Sequence, residues 1–175
     1  MSDPTAQPQA GEHDVWICDF ADPDDRAAFA RLMAEFAAEP VSGSPHLDAA
    51  HFGRVADDLA RRAGTLVLLA ARAESEETEG VLIAFEGYSS FGRTQLFNVH
   101  DVHVAPAARG KGLGTAMLEV LADLGREHGF GKITLEVAAS NGGAIRLYRR
   151  LGYTGLDGVA ATAPAGVTYF ATRKL

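Results

Sequence analysis

The stretch Gln95–Leu118, QLFNVHDVHVAPAARGKGLGTAML, joins a β-like run to an amphipathic one through glycines at 110, 112 and 114. Apolar residues recur along Gln95–Val104, and from Leu113 they return at helical spacing as Leu113, Met117, Leu121 and Leu124. Another alternating segment, Lys132–Ala138, follows the stop signal Gly129, with Ile133, Leu135 and Val137 on one face and Thr134 and Glu136 on the other. Strand, helix and strand in this order form a βαβ unit. Its strands are expected to be parallel and its crossover right-handed.

The rest of the chain builds around that unit. Val15–Phe20 reads as a first strand, and Pro23–Ala38 as a helix with Phe29, Leu32, Met33 and Phe36 on its apolar side. Asp22 is placed to cap that helix ahead of Pro23. A second helix over Leu47–Arg62 is interrupted by Gly53. Thr65–Ala73 and Gly80–Phe91 predict two strands joined by the acidic hairpin loop ESEETEG. After the βαβ unit, Asn141–Leu151 predicts a short helix ended by Gly152, and Val167–Arg173 a last strand. The order β α α β β β α β α β β describes an α/β (α+β) fold. It is a mixed, mostly antiparallel sheet of six to seven strands with about four helices against it. Residues 1–13 are polar and proline-bearing and read as a disordered lead, leaving 14–175 as a single domain.

Composition removes several functions. No apolar run approaches the roughly 20 residues of a membrane span, and the N-terminus lacks the pattern of a secretory signal. One cysteine, Cys18, allows no internal disulfide and no cysteine-rich metal site, and reads as a small buried hydrophobe. A cytoplasmic location is the default. The net charge of −7 opposes nucleic-acid binding and is compatible with cationic substrates. Arg109, Lys111, Arg146, Arg149 and Arg150 nevertheless gather around the glycine loop and the short helix, a rim suited to an anionic ligand. His100, Asp101 and His103 are close in sequence, but alternation sends His100 and Asp101 to opposite faces, so no metal is expected there.

Exposed amides of a glycine loop at a helix start bind anions, phosphate above all. A P-loop would need glycine at 105 and Ser or Thr at 112, where the chain has Ala105 and Gly112. A dinucleotide fingerprint needs G-x-G-x-x-G tight against a strand, whereas this spacing is G-x-G-x-G and Ala105–Arg109 intervene. Arg109-Gly110-Lys111-Gly112-Leu113-Gly114 matches R/Q-x-x-G-x-G/A and resembles the pyrophosphate loop of the GNAT superfamily of acetyltransferases. A second element, LEVAASNGGAIRLYRRLGY from Leu135 to Tyr153, is similar to that family's strand, helix-start asparagine, helix tyrosine and closing Gly-Tyr.

The resemblance implies a splayed pair of central parallel strands holding acetyl-CoA as co-substrate, with no metal. The backbone of Val102, His103 and Val104 would meet the pantetheine arm, an N–H near Val104 reaching the thioester carbonyl. The loop Arg109, Gly110, Lys111, Gly112, Leu113, Gly114 and Thr115 would hold the pyrophosphate. Asn141, Ala144 and Tyr148 would reach the arm from the other side. Tyr148 would protonate the departing thiolate and Glu136 would serve as base. Asp101 would receive the amine or orient His100 or His103, and Glu86, Tyr88 and Ser89 would line the same groove. The implied reaction is direct attack of a primary amine, from a small molecule or a peptide, in a ternary complex. A non-catalytic acyl-CoA-binding or regulatory module is the alternative. Glu39–His46 and the last strands would choose the acceptor, and homodimers are common in the family, so a homodimer is one expected partner arrangement.

Overall fold

A strand with an unbroken apolar run needs cover on both faces, and Leu66–Ala71 within TLVLLAAR is such a run. In the computed structural model, which describes residues 13–40, 42–156 and 166–175, it lies inside one six-stranded sheet. The elements are β1 (His13–Ile17), α1 (Pro23–Ala38), α2 (Ala49–Arg61), β2 (Thr65–Arg72), β3 (Gly80–Ser89), β4 (Thr94–Val104), α3 (Leu113–Glu127), β5 (Lys132–Ala138), α4 (Gly142–Arg150) and β6 (Thr168–Lys174). Spatial order follows chain order from β1 to β6. Neighbours are antiparallel except β4 and β5, which are parallel as the βαβ reading requires.

Two cores result. On one face Val67, Leu69, Val81 and Ile83 pack against Phe29, Leu32 and Met33 of α1 and Phe52 and Ala56 of α2. On the other, Leu68, Leu82, Phe97, Val99, Ile133 and Leu135 pack against Leu113, Met117, Leu118 and Leu121 of α3. Asp22 caps α1 by accepting the Asp24 N–H at 2.8 Å. The Asp25 carboxylate accepts from Trp16 Nε1 at 3.0 Å and from the Asp19 N–H at 2.8 Å, tying the exit of β1 to the helix start.

Several boundaries differ from expectation. β1 starts at His13, opposite Arg72, so the last residue of the predicted lead belongs to the sheet; residues 1–12 lie outside the described residues. The strand also stops at Ile17, and Cys18 is buried just beyond it. Gly53 does not interrupt α2. Its carbonyl accepts from Arg26 Nη2 at 2.7 Å, which ties the two helices together there. A seventh strand after Tyr153 reduces to an isolated bridge between Thr154 and Thr172, and residues 157–165 lie outside the described residues. No helix among the described residues is long and apolar enough to cross a membrane.

Two irregularities in β4 position the site. Its register against β3 shifts between Ile83 and Ala84: Asp101 lies opposite Ile83 and Val99 opposite Ala84, so His100 is an extra, bulged residue. Pairing with β5 then covers only Leu96–Val99 against Lys132–Leu135 and stops. The last paired stretch is pinned by Asn98 Nδ2, which donates to Thr134 Oγ1 at 3.0 Å. Beyond it the strands diverge.

Leu121 is fully buried between α3 and the sheet. Leu121→Ala is expected to cost about 2–5 kcal/mol, read in urea as a lower midpoint at unchanged slope.

Candidate active site

The gap between the diverging strands opens into a cleft of ≈ 910 Å³. Its floor is β4 from Val99 to Val104 and β5 from Leu135 to Ala138, and α1, the glycine loop and α4 contribute walls. Asp101, Val102, His103, Val104, Arg109, Gly110, Gly112, Leu113, Gly114, Thr115, Glu136, Asn141, Ala144 and Tyr148 all line it. Of the residues predicted from sequence, Lys111 is absent from that lining. Its charge acts instead on the Glu79 carboxylate, which Arg72 chiefly holds below the usual carboxylate range.

The loop forms because Pro106–Ala108 make one 3₁₀ turn and two glycines then take left-handed backbone, Gly110 at φ 75° and Gly112 at φ 90°. Gly112 is the N-cap of α3, with no side chain to cap it. Within the helix start, the Ala116 N–H bonds back to Gly112 O at 3.0 Å. The amides of Leu113, Gly114 and Thr115 are those a helix start leaves without intrahelical acceptors, and the helix dipole adds partial positive charge there. A Cβ on Gly112 would stand 2.8 Å from His13 Nε2, so β1 closes the back of the loop. Arg109 does not reach outward: Nε donates to Val104 O at 2.9 Å, and the guanidinium pairs with the Glu39 carboxylate at the end of α1.

Opposite the loop, Asn141 caps α4 by accepting the Ala144 N–H at 3.1 Å, which orients the helix toward the gap. Tyr148 is 6 % exposed, 5.5 Å ring to ring from Tyr153, and belongs both to the α3-side core and to the cleft lining. Burial pushes its hydroxyl up to about 12, so it stays protonated across the neutral range. Arg146 and Arg150 line the cleft as a basic rim, whereas Arg149 turns away and donates to Leu156 O.

On the α1–α2 side the cleft wall is apolar, with Met33, Phe36, Leu47 and Phe52, interspersed with Glu39, Ser42 and Ser44. His103 is almost completely buried here, its ring stacked on Phe36 at 5.4 Å, with Nδ1 3.3 Å from Glu39 and Nε2 3.7 Å from Glu35. Burial lowers its imidazole below the ordinary value, against the pull of Glu39 and Glu35. The expectation that His100 and Asp101 point to opposite faces is overturned by the bulge. Both face the α1–α2 side, and His100 Nδ1 lies 3.0 Å from Asp101 Oδ2. Among the described residues no group of three or more His, Cys, Asp and Glu is arranged to hold a metal ion. Glu86 is also corrected. It stands opposite Phe97, whose ring enters the α3-side core, and neither it nor Tyr88 nor Ser89 lines the cleft. Phe36 reads from sequence as the apolar side of its helix, and Leu47 and Phe52 only as residues of the second helix; a wall shared by core and cleft has no periodic signature of its own.

The sequence model of the acetyltransferase (GNAT) family matches residues 27–153. Streptothricin acetyltransferase of Streptomyces lavendulae is 41 % identical over 81 residues, 45 % of this chain and 43 % of that protein. N-alpha-acetyltransferase RimI of Mycobacterium tuberculosis is 40 % identical over 76 residues, 42 % of this chain and 46 % of that protein. The chain thus spans under half the length of these two relatives. Among solved structures, yncA of Salmonella typhimurium with its cofactor acetyl-CoA superposes with TM-score 0.66 at 21 % identity, over 94 % of each chain, a likeness of fold.

A side chain at Gly112 has to bear left-handed backbone, about 1–2 kcal/mol, and to displace the tip of His13. Gly112→Ala is therefore expected to cost about 1–2 kcal/mol of stability, read in urea as a lower midpoint at unchanged slope.

Proposed function

The chain belongs to the GNAT family of acetyltransferases, and from that membership we propose that it transfers the acetyl group of acetyl-CoA to a primary amine in a ternary complex. The observation that carries this reading is the end of β4–β5 pairing after Val99 and Leu135. It leaves a slot between two strands with exposed amides at one end and Tyr148 beside it.

The donor's fit follows from the chemistry of the cleft. Diphosphate charge is matched by the amides from Gly110 to Thr115 and the α3 dipole, and Arg146 and Arg150 add positive charge at the rim. The pantetheine arm has amide groups, and the edges of β4 and β5 that no longer bond each other supply backbone partners at Val102–Val104 and Glu136–Ala138. The thioester then lies near Val104, whose N–H is the donor assigned to its carbonyl oxygen. A donor fixed in place acts most strongly as negative charge grows on that oxygen.

In the reaction the amine lone pair bonds to the thioester carbonyl carbon, and the C–S bond breaks as the tetrahedral adduct collapses. Sulfur leaves with the bonding pair and takes the Tyr148 proton. A buried phenol can serve this duty, since desolvation keeps its proton in place until sulfur carries the bonding pair. The acceptor enters from the α1–α2 side, where Asp101 and Glu136 present carboxylates and Phe36, Leu47 and Phe52 an apolar wall. Such a surface suits a cationic amine on an apolar stem.

The test is thiol release from acetyl-CoA with n-butylamine, benzylamine, spermidine and an alanine-led peptide as acceptors. Turnover with at least one is expected. Binding of acetyl-CoA with no release on any of them would favour the non-catalytic module. Tyr148→Phe is expected to lower kcat about 100-fold or more while KM for acetyl-CoA changes little. No alkaline fall in kcat from Tyr148 ionisation should appear below its value of about 12.

A further inference from the structure

We propose that His100, oriented by Asp101, accepts the proton of the attacking amine; the inference rests on the acetyl-transfer reading above. Neighbouring residues of a strand ordinarily point to opposite faces. Here the bulge removes that separation. Asp101 pairs opposite Ile83 and Asn98 opposite Phe85, both of which face α1 and α2, and the inserted His100 sits between them with its ring 5.6 Å from the Phe85 ring, edge-on. The two side chains meet at 3.0 Å, and both line the cleft.

The pairing settles which ring nitrogen is available. An ionised carboxylate only accepts, so the hydrogen between Nδ1 and Asp101 Oδ2 belongs to Nδ1. Nε2 then carries the lone pair, and the carboxylate fixes the tautomer and the orientation of the ring. The His100 side chain is 62 % exposed and that of Asp101 23 %, so a proton collected inside the cleft has a direct exit to water.

Other groups around the dyad do not replace it. Glu136 faces the same cleft from β5 but makes no hydrogen bond among the described residues, so nothing there orients it toward an acceptor. His103 is stacked on Phe36 and buried between Glu35 and Glu39, and Glu39 is itself paired with Arg109. At the C-cap of α2, Arg62 lies 4.2 Å over the Phe85 ring, on which the His100 ring also rests edge-on. Phe85 from β3 holds the ring's edge and contributes no charge.

Protons balance in the proposed step. An ammonium acceptor gives one proton to His100 Nε2, which frees the nitrogen lone pair for attack on the carbonyl carbon. The second proton leaves the nitrogen of the adduct as the C–S bond breaks, and it restores Tyr148 after that group has protonated sulfur. His100 discharges its proton to water. One acetamide, one thiol and one released proton result.

The experiment compares wild type, His100→Gln and Asp101→Asn with n-butylamine as acceptor, following thiol release from about pH 6 to about pH 9. His100→Gln keeps a donor for Asp101 and removes the base, and the exposed site leaves folding unaffected. Expected is a drop in kcat/KM of about 100-fold near pH 7 that narrows as the amine becomes neutral in alkali. KM for acetyl-CoA should stay constant, and added imidazole should restore rate in His100→Ala. Asp101→Asn should show a smaller loss of the same pH dependence. Wild-type rate and profile in His100→Gln, or a uniform loss without imidazole rescue, would overturn the dyad while leaving acetyl transfer standing. Failure of the wild type to bind acetyl-CoA and release thiol would remove both.

Discussion

The parallel hydrogen-bond ladder between β4 and β5 ends after four residue pairs, and the site depends on that ending. Backbone amides and carbonyls seek partners, so two strands that part company inside a sheet leave edges that something must satisfy. The molecule sets the parting point with side chains: the Asn98–Thr134 bond closes the last paired stretch, and the bulge at His100 bends β4 away immediately after it. A ligand with amides of its own is the natural occupant of the gap. The βαβ crossover then guarantees that α3 starts at the C-terminal end of β4, so the anion-binding amides sit where the slot ends.

The two halves of the cleft are mechanically joined at Arg109. Its guanidinium bonds the carbonyl of Val104 and the carboxylate of Glu39, which lies at the C-cap of α1 and also neighbours the buried His103. Donor loop, strand end and acceptor-side helix therefore share one polar cluster. An arginine that a motif would assign to phosphate serves first as a bracket between these elements. In the proposed transfer such a bracket is useful, because an amine and a thioester must be held within a narrow range of approach for attack to be fast.

Much of this was legible in the sequence, and what escaped has a physical reason. The βαβ unit, the glycine amides, the Asn141 cap and the place of Tyr148 all follow from local patterns that one short segment carries by itself. The bulge was also written there but misread. Phe97 and Val99 are apolar at odd positions and Val102 and Val104 at even ones, and a change of parity inside one strand requires an inserted residue. Strict alternation carried across His100-Asp101 thus separated two side chains that touch. The position of Glu86 failed for a related cause: which face a hairpin residue takes depends on its partner, Phe97, and on no local property. The Arg109–Glu39 pair joins residues 70 apart in sequence, and only the fold brings them together.

The two groups given proton duties occupy opposite environments, and the contrast supports their assignment. Tyr148 sits within the apolar core beneath α4, where burial disfavours the phenolate and keeps the proton in place. His100 stands on a bulge at the solvent-facing side of the same cleft, hydrogen-bonded to the Asp101 carboxylate. One site is built to retain a proton until the departing sulfur takes it, and the other to accept one and pass it to water. Reversing the pair would place a charged imidazolium in the core and a solvated phenol at the entrance, where neither would match the direction of proton flow. The irregular strand that splits the sheet where the donor is proposed to lie therefore also separates the proposed acid from the proposed base.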